Sequence, residues 1–199
     1  MAAFIAGVFG LPPDGKSETH LIAHVAEWLW YLHVLGGSHA AGSIALLDTP
    51  KFNVTEPGAD GFIVFSDSAT GDTAFRLWEL KQHTGASAIS ETVGEAYEQL
   101  KTHATRYLAQ LTAIHSVKPG PVGELCKQLV DFWVDCNARA GVGVGVASAR
   151  VPAPKKCFST MGAHFPGFNQ AGQLEGLLLA VEDLAGLARD VRGYLWTVL

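Results

Sequence analysis

Apolar positions along this chain recur at two spacings, and the changes between them mark out the elements. From Lys16 to Gly37 they recur every three or four residues, which predicts a helix. Ser17 or Thr19 can cap it, and the Gly36-Gly37 pair ends it. Gly61-Phe62-Ile63-Val64-Phe65 and Phe75 to Gln82 read as strands. The small polar stretch Ser66 to Thr73 between them, with Gly71 near its end, has the chemistry of a hairpin loop. Helical spacing returns from Ser90 to Ile114, where Val93, Ala96, Tyr97, Leu100, Ala104, Tyr107, Leu108 and Leu111 form one stripe.

In the second half, Val122 to Asn137 is predicted as a helix. Gly141 to Ser148 alternates glycine with valine, as a central strand closely approached on its bare face would. Pro152 to Phe168 is expected as a long loop carrying Lys155, Lys156 and His164. Leucines from Leu174 to Leu195 predict one closing helix over Gly172 to Trp196, apolar beyond a single face. Ala2 to Leu11 is expected as a buried strand or packing arm rather than a signal peptide. The expectation is a single α/β domain over residues 1–199. Residues 16–115 form its core, and residues 120–199 complete the sheet and end in the helix.

Charged residues make up 17% of the chain against roughly 25% in an average domain. Part of the surface is therefore expected to be covered, by a homo-oligomeric or heteromeric contact near the C-terminal helix. Fourteen basic against nineteen acidic residues leave a net charge of −5, the wrong sign for gripping nucleic acid unaided. Three cysteines, Cys126, Cys136 and Cys157, without a CxxC pair, argue against a disulfide scaffold and a zinc ribbon. No segment is long and uncharged enough to span a membrane, so a cytoplasmic protein is expected.

The candidate chemistry lies on the hairpin. If its strands pair antiparallel, Asp60 at the mouth of the first comes beside Glu79 and Lys81 at the end of the second. Glu79 and Lys81, two apart on a strand, share a face. Two close carboxylates repel, and a hard divalent cation, Mg²⁺ or Mn²⁺, relieves that repulsion with oxygen ligands. Lys81 would orient or deprotonate a water whose pKa the metal lowers, which fits phosphodiester hydrolysis. An edge strand facing water would carry the same Glu and Lys at alternate positions. On the first helix, His20, His24 and Glu27 lie on one stripe with Tyr31, and such a set could itself bind zinc or iron.

The pattern Asp60 … Glu79-Leu80-Lys81 on a hairpin followed by a helix, with Pro57 shortly upstream, resembles the PD-(D/E)xK nuclease superfamily. The resemblance spans roughly residues 16–115 and rests on a short, degenerate motif. It implies a restriction-endonuclease-like mixed central sheet flanked by helices and a Mg²⁺-dependent DNA endonuclease activity. Asp60 and Glu79 would be metal ligands, the Leu80 carbonyl a backbone ligand, Lys81 the catalytic lysine and Glu27 an additional acid. Gln82, which extends the motif strand, and Gln99 with His103 on the next helix are the further substrate-facing candidates. The acidic balance adds the expectation of a partner, such as a helicase or ATPase subunit, in an anti-phage defence or repair complex. A catalytically idle assembly subunit is the remaining alternative.

Overall fold

The computed structural model describes residues 18–37, 39, 41–50, 58–85, 87–149 and 154–198. The predicted arm at Ala2 to Leu11, the cap candidate Ser17 and the Pro57 of the motif lie outside them. Helix α1 (Thr19–Gly36) precedes β1 (Ser43–Leu47), β2 (Gly61–Ser66) and β3 (Thr73–His83). The long α2 (Ile89–His115) and the short α3 (Pro121–Cys126) and α4 (Leu129–Val134) lead to β4 (Ala140–Ser148). The one-turn α5 (Met161–His164), β5 (Leu174–Ala180) and α6 (Leu184–Thr197) complete the order. The result is a mixed α/β fold.

The strands form one sheet in the order β1-β2-β3-β4-β5. β1, β2 and β3 pair antiparallel, β2 and β3 through a short turn, while β3-β4 and β4-β5 are parallel and reached by crossovers. The β2–β3 turn is held by Asp67, whose Oδ1 accepts from the Ala69 N–H at 2.8 Å, with Gly71 at φ 76°. The predicted hairpin is therefore present.

β3 lies at the centre, covered on both faces. On one face Phe62, Val64, Phe75, Leu77, Val142, Val144 and Val146 meet the stripe of α2, all of whose predicted apolar positions are buried. On the other, Trp30 and Val34 of α1 pack on Ile63, Phe65 and Trp78, while Leu21, Ile22, Val25 and Ala26 meet Leu184 and Ala188 of α6. The glycine–valine alternation of β4 has the predicted cause. A Cβ at Gly143 would enter the Trp78 ring, and one at Gly145 would meet Leu80.

Three expectations are corrected. The Gly172–Trp196 stretch is a strand and a helix. Leu174 and Leu178 pack toward the α2 side, while Leu177 and Leu179 pack toward α1, a period of two that a run of leucines satisfies as readily as a helical period. The helix starts only at Asp183, whose Oδ1 accepts from Gly186 N–H at 2.7 Å. The Val122–Asn137 stretch breaks at Lys127-Gln128, where the Gln128 N–H bonds three residues back to Leu125; Leu125, Leu129 and Trp133 still reach the core. The residue at the N-cap of α1 is Glu18 rather than Thr19; its side chain makes no cap bond and pairs with Arg189 and Arg192 of α6, at 3.1 and 2.8 Å.

Candidate metal-dependent active site

β2 and β3 part company beside the predicted residues. The last β2–β3 pair is Gly61 with Trp78, and β3 runs on through Glu79, Leu80, Lys81 and Gln82 to His83 beside β4 alone. Asp60, the residue before β2, extends the lost ladder with its side chain, its Oδ2 accepting from the Leu80 N–H at 2.9 Å. Gly61 is needed next to it because the Trp30 ring lies where a Cβ would stand. In an extended strand a residue's N–H and C=O point to the same edge, so the Leu80 carbonyl faces the Asp60 side too.

Glu79 and Lys81 share the face beneath α2. Lys81 Nζ donates to Glu79 Oε1 and to Gln99 Oε1 of α2, each at 2.7 Å. Gln99 in turn donates to the Tyr107 hydroxyl at 3.4 Å. β3 is therefore not a solvent-facing edge strand, since Glu79 is 0% exposed. Its Oε2 meets no hydrogen-bond donor among the described residues. Burial above all, and then the Asp60 charge, push the Glu79 carboxyl up to about 9, against the opposing pull of Lys81. Near neutral pH that carboxyl holds a proton and can donate it to Asp60. Burial acts to lower the Lys81 ammonium, but Glu79, Asp60 and Tyr107 outweigh it and raise its pKa, so Lys81 is a charged donor rather than a base.

The donor set fits a hard cation. Two adjacent carboxylates, one with an oxygen lacking any donor, stand beside a backbone carbonyl on one open edge. Among the described residues no three His, Cys, Asp or Glu side chains converge into a ready metal cage. Waters or substrate oxygens would complete the coordination, as is usual for Mg²⁺.

The other predicted residues are distributed differently. Glu27 stands beside His24, with its carboxylate 3.9 Å from Nδ1. His24 is buried, which lowers its pKa, and its Nε2 accepts from the Trp28 indole at 3.0 Å. His20, one turn earlier, is exposed. Gln82 is next to Lys81 and so points to the opposite face. His103 is on α2 with its ring centroid 5.9 Å from that of Tyr107.

Three polar groups beside Asp60 escaped sequence reading. A cleft of about 240 Å³ opens there, lined by Asp48, Asp60, Tyr107, Gln110, Ile114 and His115 among others. His115 lies parallel to Phe62 and bonds Asp48 through Nε2 at 3.0 Å; since a carboxylate only accepts, Nε2 carries the hydrogen. Tyr107 fell in the apolar stripe, where spacing says nothing of its hydroxyl. Asp48 follows β1, a short strand that was not predicted. Compared with known proteins, the chain matches no family model and no curated protein sequence.

Proposed function

We propose that the protein is a metal-dependent nuclease that hydrolyses DNA phosphodiester bonds, with Asp60, Glu79 and Lys81 at its centre. One observation carries the reading: Asp60 and Glu79 meet where β2 ends and β3 continues, with Lys81 bonded to the buried Glu79 and braced by Gln99. Asp60, Glu79 and the Leu80 carbonyl would hold Mg²⁺ or Mn²⁺. When bound, the ion lowers the pKa of a water and polarises the phosphoryl oxygen.

The side chains divide the remaining work. Glu79 would give up its one proton on becoming a ligand, which would convert an acid–carboxylate pair into two anions. Lys81 then places its ammonium against the phosphate oxygens that gain charge as the water attacks. Gln99 limits the directions in which that ammonium can point. Glu27 remains the candidate for further acidic support.

The net charge of −5 supports an effector whose grip on DNA comes from a second component, as in defence or repair assemblies that join a nuclease to a motor subunit. One observation favours an idle assembly subunit instead. The same contacts also read as structural, because Lys81 satisfies one oxygen of the buried Glu79 and Asp60 caps a ladder. No observation favours a His20/His24/Glu27 metal centre, since Trp28 already occupies the His24 Nε2 lone pair.

Digestion of linear, circular and single-stranded DNA with Mg²⁺ or Mn²⁺, alone and with candidate partner subunits, tests the proposal. Glu79→Ala and Lys81→Ala should each slow cleavage by about 10²- to 10⁴-fold. Cleavage that persists in both variants would overturn it.

A further inference from the structure

A second cavity lies on the other face of the sheet, toward the start of β3, away from Glu79 and Lys81. It measures about 600 Å³, within the range of small-molecule sites. At its base, the side chain of Arg76 is only 8% exposed, and its Nε has no hydrogen-bond acceptor among the described residues. Arg76 reaches across Gly141, where a Cβ would stand 3.3 Å from that Nε. Its Nη atoms bond the Glu175 carboxylate and the Gly172 carbonyl. Arg139 also lines the cavity, its guanidinium held by Thr73, whose carbonyl and hydroxyl oxygens accept from it at 2.6 and 2.7 Å, and lying 5.0 Å over the Phe132 ring. Phe65 lies 5.5 Å beneath the Arg76 guanidinium and supplies a flat apolar wall.

The charges here run against those of the whole molecule. The lining holds Arg76 and Arg139 against the single carboxylate of Glu175, so it carries net positive charge in a chain of net −5. That one carboxylate is also the least secured, because the Glu175 side chain is 44% exposed while its partner is buried. Burying a guanidinium is costly unless it is paired, and a structural tie would normally bury both members. Instead an anchored cation is covered by a movable anion.

We propose that this cavity binds a small phosphate-bearing molecule of nucleotide size, and that Glu175 occupies the Arg76 end of the site as a tethered competitor. The phosphate would replace the Glu175 carboxylate on Arg76 and meet Arg139, while a base or other flat group lies against Phe65. Arginine forks match phosphate oxygens in pairs, and Arg76 gives one Nη to the Glu175 carboxylate that a phosphate would replace and the other to the Gly172 carbonyl. The proposal is independent of the nuclease reading, because none of its residues belongs to the Asp60–Glu79–Lys81 site.

Isothermal titration with inorganic phosphate, AMP and a short single-stranded oligonucleotide tests it. A tethered competitor acts at an effective concentration in the millimolar range, so Glu175→Gln should tighten AMP binding by about tenfold or more. Arg139→Gln added to that variant should reverse the gain. Equal AMP affinity with and without Glu175, absence of AMP binding in both, or a gain that Arg139→Gln leaves intact would overturn the proposal, as would binding of the oligonucleotide alone. Should circular dichroism show Glu175→Gln to be unfolded, Arg139→Gln in the otherwise unchanged chain decides. Loss of AMP binding supports the site, and unchanged or absent binding in both proteins overturns it.

Discussion

Glu79 is the residue in which sequence and structure differ most in consequence. Its place two residues before Lys81 shows that both share a face, but alternation does not reveal whether that face meets water or a helix. Under α2 the carboxyl is fully buried and carries a proton up to about pH 9. The linkage has a definite sign. A carboxyl whose pKa is raised on folding stabilises fully below its unfolded value, and that contribution is lost as pH rises toward the folded one. In EDTA, the urea midpoint of the protein should therefore fall between about pH 5 and about pH 9, and Glu79→Gln should flatten the decline. A midpoint that rises over this window, or a decline unchanged in Glu79→Gln, would show that Glu79 is ionised in the fold.

Asp60 was legible as a partner of Glu79 because a hairpin brings the ends of its strands together, and the loop chemistry announced a hairpin. Its bond to the Leu80 N–H was not, since that depends on where the β2 ladder stops. Tyr107 and His115 were hidden for another reason. An amphipathic stripe records burial, and the polar atom at the tip of a buried aromatic or imidazole leaves no periodic trace.

Among the elements, β4 and β5 show where pattern is sufficient and where it fails. The glycine–valine alternation of β4 has one reading, because only a strand places all its glycines on one face, and Trp78 and Leu80 occupy the space left there. Gly143→Ala should thus cost about 1–3 kcal/mol by overpacking against Trp78, measured by urea denaturation. A variant as stable as the parent would mean that Trp78 is free to move aside. β5 has no such asymmetry. Its consecutive leucines are compatible with either period, and the open parallel edge of β4 makes the choice by pairing Val142 to Ser148 with Leu174 to Ala180. α6 then forms a shorter helix that rests on α1 through Leu184 and Ala188.

At the level of the molecule, the negative charge bears on the proposed action on DNA. No helix among the described residues is long and apolar enough to cross a membrane. Lys81 is half-buried and engaged at the site, and the cationic Arg76 and Arg139 sit in the cavity on the far face. Fluorescence anisotropy with labelled DNA should show weak binding by the chain alone, with a shallow dependence of log K on log salt. A protein making roughly 6–10 phosphate contacts would instead lose about 10³–10⁵ in affinity between 50 and 200 mM salt. A slope that steep without a partner would remove the case for a second component.

Spacing and residue type alone were enough for the hairpin, the long helix after it, the central glycine–valine strand and the meeting of Asp60 with Glu79. These are local consequences of backbone period and turn chemistry. The burial of Glu79, its proton, the bracing of Lys81 by Gln99, the strand identity of β5 and the Arg76 cavity all depend on which element covers which face. That choice is made by packing between segments far apart in the chain, and no local period encodes it.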